Sequence, residues 1–150
     1  MILARRDVLA MLIAAPLAAC TSERPAVQVW KTSSCGCCGD WVRHLEANGF
    51  DVRVNDVAEP AVYRRKFGIP DALASCHTAK VANYALEGHV PAREIHRLLR
   101  ERPEVVGLVV PAMPVGSPGM DGPEYGNRKD AYDVLVVARH GEPRVYESYR

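Results

Sequence analysis

Apolar and polar residues alternate along Val27-Gln28-Val29-Trp30-Lys31, a period of two that predicts a strand. Thr32-Ser33-Ser34 breaks the pattern as a loop. Over residues 40–48 the apolar positions shift to helical spacing at Trp41, Val42 and Leu45, and Asn48-Gly49 supplies a C-terminal stop. Residues 51–56 alternate again as a second strand. Residues 59–67 follow as a second helix, with Pro60 tolerated in its first turn and Gly68 ending it. Two strands joined through a helix form a βαβ unit, normally a right-handed crossover between parallel strands.

Beyond a turn-rich connection at 69–74, residues 78–82 and 84–87 predict a hairpin around Asn83. Residues 91–102 form the clearest helix, with Ile95, Leu98 and Leu99 as its apolar stripe and Pro103 stopping it. A short buried strand is expected at 105–110, and residues 133–138 and 144–147 close the chain as a strand pair around His140-Gly141-Glu142. Between them, residues 111–127 are dominated by proline and glycine, and a loop that long in a compact domain is commonly functional or disordered. No internal repeat is visible. The pattern is that of an α/β domain: a central mixed β-sheet flanked by helices, with a long Pro/Gly-rich loop before the last strands.

The N-terminus reads differently. Residues 1–19 carry Arg5-Arg6, then an apolar run from Val8 too short to span a bilayer, then Leu17-Ala18-Ala19 before Cys20. This is the layout of a signal peptide, which would send the protein to the periplasm or cell envelope. Leu17-Ala18-Ala19-Cys20 is similar to the lipobox of bacterial lipoproteins, so Cys20 is the expected lipidation site and the only expected membrane contact. A plain secretory signal is the alternative. Arg5-Arg6 followed by Leu9 is compatible with twin-arginine export. Residues 20–26 then serve as a tether, and 27–150 as the single domain.

Composition narrows the function. A chain of 150 residues, 48% hydrophobic and 25% charged, suits one domain with a genuine core. The net charge of +1 argues against a nucleic-acid-binding face, which needs a basic excess. The arginines of residues 97–102 alternate with apolar and acidic residues as on a solvated helix face.

The chemistry lies in the 5 cysteines. Cys35 and Cys38 bracket a C-x-x-C after the first strand and at a helix start, where thioredoxin-like proteins carry their redox pair. That position favours thiolate, because free backbone amides and the helix dipole stabilise the negative charge. Thiolate is both the nucleophile of disulfide exchange and the metal-binding form. Cys37 projects about 100° from Cys38 around a helix. A dithiol enzyme gains nothing from this third thiol, which invites disulfide scrambling, whereas thiolates fanned over one turn suit a soft metal.

Cys76 offers a fourth sulfur from another loop, followed directly by His77. Zinc would accept four such ligands. Two structural disulfides are the bland alternative in an oxidising compartment. Against it, Cys35, Cys37 and Cys38 are expected to be too close in sequence to pair comfortably among themselves.

Four stretches carry a family resemblance: Cys35-Gly36-Cys37-Cys38-Gly39-Asp40-Trp41, Ala74-Ser75-Cys76-His77-Thr78-Ala79, Glu87-Gly88-His89-Val90-Pro91-Ala92 and Met113-Pro114-Val115-Gly116-Ser117-Pro118-Gly119-Met120. In this order they resemble the periplasmic copper-resistance proteins of the CopG type, over about residues 27–147. The resemblance implies a thioredoxin-like fold and cuprous copper held by Cys35, Cys37, Cys38 and Cys76, as a multinuclear thiolate cluster, in copper resistance or periplasmic copper handling. Other copper-handling proteins of that compartment are the implied partners.

Beside such a site Met113 and Met120 offer soft thioethers, with apolar plugging as the alternative. His77 is a candidate ligand or a support for the ligands. His89 and His96 are expected to be structural or at the surface, His44 and His140 at the surface, and Trp41 in the core or shielding the thiolates. Two further functional classes stay open. One is a thiol–disulfide oxidoreductase with Cys35 as nucleophile and Cys38 as resolving thiol. The other is a zinc- or disulfide-stabilised interaction module. Whether the protein turns over as an enzyme is left open by the residues.

Overall fold

A computed structural model describes residues 23–150. The expected signal segment, Cys20 and the first part of the expected tether lie outside the described residues. The chain forms β1 (Ala26–Lys31), α1 (Gly36–Ala47), β2 (Asp51–Asp56), α2 (Ala61–Lys66), β3 (His77–Val81), β4 (Tyr84–Glu87), α3 (Ala92–Glu101), β5 (Val105–Val109), β6 (Tyr132–Ala138) and β7 (Arg144–Tyr149). Single 3-10 turns at Asp71–Leu73 and Pro123–Tyr125 punctuate the loops.

The seven strands make one sheet in the order β2-β1-β3-β4-β5-β6-β7. β1 runs parallel to β2 and antiparallel to β3, and β3 is antiparallel to β4. This four-strand unit, with α1 after β1 and α3 after β4, is the thioredoxin-like arrangement, and the βαβ crossover expected from the sequence opens it. β5 joins β4 in parallel, then β6 and β7 extend the sheet antiparallel.

Strand alternation sorts the core onto two faces. Val27 and Val29 of β1, Ala79 and Val81 of β3, Leu86 of β4 and Leu108 of β5 face Trp41, Val42 and Leu45 of α1 and Ile95 and Leu98 of α3. Their neighbours Ala85 and Val109 face the other way and pack with Ile69, Phe67 and Leu73 after α2. On that side Trp30 stacks on Tyr63 at 4.8 Å between ring centroids. A 12-residue helix such as α1 is marginal alone, so burial of Trp41, Val42 and Leu45 is what holds it in place.

The helix starts at Gly36, four residues before the start expected from its apolar spacing. Cys37 and Cys38 therefore sit inside its first turn, with Cys35 at the N-cap in an extended conformation. At the other end of the domain, Arg102 adopts a left-handed conformation after α3 and its N–H bonds to the Leu98 carbonyl, which completes the stop before Pro103. No helix among the described residues is long and apolar enough to cross a membrane.

The Pro/Gly loop between β5 and β6 is ordered by its own hydrogen bonds. Gly116 N–H meets the Met120 carbonyl at 2.7 Å, Asp130 N–H meets the Val115 carbonyl at 2.8 Å, and Ser117 is fully buried. The loop also packs against α1 at Gly119, which has φ +86°. A Cβ there would lie 2.7 Å from both the Cys37 carbonyl oxygen and the Trp41 nitrogen. Glycine is required for that approach.

Candidate metal centre

The helix start and the entry to β3 bring four sulfurs together. One sulfur each from Cys35, Cys37, Cys38 and Cys76 lies within 4.8 Å of all the others. Cys38 is buried and the other three are half-buried, so the group opens to solvent on one side. Its position follows from the sheet: β1 delivers the chain to α1, and β3, antiparallel to β1 with His77 opposite Lys31, begins where β1 ends. Cys76, the residue before β3, consequently faces the first turn of α1.

Cys35 and Cys38 are joined by a disulfide, with their Cα atoms 5.4 Å apart. This corrects the expectation that Cys35, Cys37 and Cys38 are too close in sequence to pair comfortably, and it is the pairing that the oxidoreductase alternative had assumed. An extended N-cap residue followed by three helical residues sets the two Cα atoms within the range a disulfide requires. Cys37 and Cys76 remain as free thiols, with Cys37 Sγ 3.6 Å from Cys35 Sγ. The thioredoxin-type pair thus supplies two of the four sulfurs of the group.

Cys76 also belongs to a second donor group. Its sulfur lies 3.3 Å from His77 Nδ1 and 3.1 Å from His89 Nε2. Burial first, and then the neighbouring Cys37, push the Cys76 thiol up to about 12. Without metal it is a neutral thiol. Both histidines are fully buried, and burial holds them below the usual imidazole range, His77 furthest and with His89 adding to the effect. Neutral imidazole is the form that ligates metal.

The two rings are held differently. His89 Nδ1 is 2.7 Å from the Pro118 carbonyl, so that nitrogen carries the proton and Nε2 presents its lone pair to Cys76. His77 packs against Trp41, and its Nε2 is buried without a hydrogen-bond partner. The donor set fits a soft ion: thiolates with neutral imidazoles beside them select cuprous copper or zinc over magnesium or calcium.

His89, expected to be structural or at the surface, is a buried, hydrogen-bonded residue whose ring also reaches Cys76. It sits between β4 and α3, where neither strand nor helix periodicity indicates its direction. The signal available was its two-residue distance from Glu87, which pairs with Thr78 across the hairpin and so brings His89 level with Cys76. His44 is half-buried rather than at the surface, and its Nε2 accepts the Ala92 N–H at 3.1 Å. His96 is partly exposed, stacked on Phe50 and 2.8 Å from the Asn48 carbonyl. His140 is exposed. Trp41 is a core residue that also touches the site, its ring against His77 and its Nε1–H donating to the Val90 carbonyl at 2.8 Å.

The methionines separate. Met113 is 47% exposed and lines a groove with Pro111, Leu135 and Tyr132. Met120 is half-buried, and its Sδ accepts the Tyr125 hydroxyl at 3.3 Å. The same turn of loop carries Pro118 and Gly119, so Met120 stays beside the cysteine helix while Met113 is turned to the groove.

Residues 73–120, from the Cys76 loop through the methionine loop, match a family described as a protein of unknown function, DUF411. No curated protein matches the sequence. Two solved structures of a copper resistance protein, CopG, are similar over most of the chain. Form 2 is 44% identical, covering 85% of this chain and 100% of that one, with a TM-score of 0.79. Form 1 is 45% identical, covering 85% and 98%, with a TM-score of 0.78. At that identity and coverage, with the thioredoxin-like sheet and the Cys/His cluster in place, the chain belongs to the CopG family of copper resistance proteins.

Proposed function

We propose that this protein binds several cuprous ions through Cys35, Cys37, Cys38 and Cys76 once the Cys35–Cys38 disulfide is reduced, and serves copper resistance in the periplasm or cell envelope. The observation that carries this reading is the mutual approach of all four sulfurs to within 4.8 Å. Charge decides between one ion and several. Four thiolates around a single monovalent ion would leave three uncompensated negative charges beside the buried Cys38, and such charge is costly away from water. Thiolates that each bridge two cuprous ions let the positive charge approach the negative. His77 and His89, grouped with Cys76, stand close enough to add donors or to shield the cluster, whereas Met113 lies in a separate groove and Met120 bonds to Tyr125.

A second reading draws on the disulfide itself. Cys35 is half-exposed and Cys38 buried, the order expected of an attacking and a resolving thiol. Reduced Cys35 would attack a partner disulfide, release a partner thiol, and be released by Cys38 as the new disulfide forms. Two electrons pass to the partner. The two readings share a switch, since closing the disulfide withdraws two of the four sulfurs from metal. Export by the N-terminal signal, with lipid attachment at Cys20, places either activity in an oxidising compartment.

Metal and thiol counts on protein isolated anaerobically from the cell envelope separate these readings. Several copper ions per chain, with four thiols appearing after the copper is stripped, is the expected result. One zinc per chain would favour the interaction module. No metal, with Cys35 and Cys38 oxidised and efficient reduction of insulin after pre-reduction, would favour the oxidoreductase.

A further inference from the structure

Glu87 is fully buried, yet it is a carboxylate at the end of a core strand. Its two oxygens are spent on one short stretch of chain. Oε1 accepts the Ser75 backbone N–H at 2.8 Å, and Oε2 accepts the Thr78 hydroxyl at 2.6 Å. Ser75 and Thr78 flank Cys76 and His77. Ser75 precedes β3, so the sheet ladder does not supply a partner for its N–H. Arg64 Nη1 stands 3.6 Å from Oε1, and Arg64 is itself fixed by Asp71 at 2.9 Å.

Burying a carboxylate costs several kcal/mol unless it is paired and hydrogen-bonded, and apolar residues of similar size commonly pack as well or better. The ion pair with Arg64 and the two hydrogen bonds offset that cost here. What they achieve is local: they fix the chain on both sides of the Cys76-His77 step.

The residues after Glu87 tighten the same arrangement. Gly88 N–H bonds to the His77 carbonyl at 3.0 Å. At Gly88, φ +70°, a Cβ would lie 2.3 Å from the Val110 carbonyl oxygen and 2.5 Å from Ser75 Oγ. The Ser75 hydroxyl in turn donates to the Ala112 carbonyl, at the start of the Pro/Gly loop. His89 then reaches Cys76. One short segment of β4 and its exit therefore sets where Cys76, His77 and His89 stand.

We propose that Glu87 is the positioning residue of the Cys76 loop, holding the Cys76 sulfur toward α1 through the Ser75 N–H and the Thr78 hydroxyl, so that the fourth sulfur is in place before metal arrives. The proposal rests on the reading of Cys76 as a copper ligand, and it goes beyond that reading by assigning a residue that does not touch the metal.

The test compares wild type with Glu87→Leu, which keeps size but has no acceptor, Glu87→Gln, which keeps an acceptor for the Ser75 N–H, and Cys76→Ser. In the metal-free protein with the Cys35–Cys38 disulfide closed, alkylation of Cys76 by iodoacetamide is followed by peptide mass spectrometry. In the reduced protein loaded with cuprous ion, the copper count and the thiolate-to-copper absorption band are recorded. Glu87→Leu is expected to alkylate Cys76 roughly tenfold faster, the scale of one lost hydrogen bond to a charged group. Its copper count and band should match those of Cys76→Ser, with Glu87→Gln restoring both toward wild type.

A folded Glu87→Leu with the wild-type alkylation rate and band overturns the proposal. If Glu87→Leu does not fold, Thr78→Val removes one of the two holds and decides by the same readouts. Copper bound unchanged by Cys76→Ser would instead overturn the ligand role of Cys76, while the metal-free alkylation still judges Glu87.

Discussion

Cys37→Ser is expected to cut the copper held by the reduced protein from several ions per chain to one or none, while disulfide exchange through Cys35 and Cys38 continues near its original rate. Cys37 lies in the first turn of α1 with its sulfur 3.6 Å from that of Cys35, outside the disulfide that Cys35 forms with Cys38. The disulfide pair can cycle without it. A shared cluster cannot, because serine offers a hard oxygen that bridges cuprous ions poorly, and three thiolates balance fewer positive charges than four. Cuprous titration against a coloured competitor, alongside insulin reduction, reads both quantities on the same preparation. Undiminished copper in Cys37→Ser would show that the third thiol of the C-x-C-C run is not part of the site.

Gly107→Ala is expected to be the most damaging small substitution in the fold. Gly107 lies in β5 opposite Ala85 of β4, the seam where the extension β5–β7 joins the thioredoxin-like strands. A Cβ at Gly107 would fall 1.7 Å from the Ala85 carbonyl oxygen and 2.6 Å from its carbon. Both are backbone atoms, so no rotamer change relieves the overlap and the strands must separate. Overpacking that side chains can absorb costs about 1–3 kcal/mol, and a backbone collision in a buried ladder belongs at or above the upper end. At about 3 kcal/mol the melting temperature of a domain this size should fall by roughly 10 °C. Thermal unfolding by circular dichroism checks it. A Gly107→Ala protein melting within a few degrees of wild type would mean that the β4–β5 seam gives way locally.

The sequence conveyed strands better than helix starts, for a physical reason. β2 was legible to the residue, because Val52 and Val54 alternate with polar neighbours between a glycine-terminated helix and a turn. The start of α1 was not, since Gly36, Cys37, Cys38 and Gly39 have weak helix propensity and no apolar period. Those residues are helical because Trp41, Val42 and Leu45 bury the next turn against the sheet. The same hidden turn explains the Cys35–Cys38 pairing, which depends on backbone direction at the N-cap.

Long-range placement was legible only in part. That Cys76 would stand near the C-x-C-C run followed from the topology of a thioredoxin-like sheet. His89 and Glu87 were legible only through the β3–β4 register and the turn at Gly88, which bring each of them to Cys76 and which periodicity by itself does not show. Charge misleads in the same way at Glu94. This residue looks solvated on the α3 sequence but is buried, with Tyr149 donating its hydroxyl to Oε2 at 2.8 Å.

The central claim is that four thiolates share several cuprous ions. X-ray absorption at the copper edge, on reduced protein loaded with cuprous ion without oxygen, tests it most directly. The expected result is a cuprous edge, a first shell dominated by sulfur and a copper–copper shell at short distance. A single copper with nitrogen and oxygen neighbours and no copper–copper shell would contradict it.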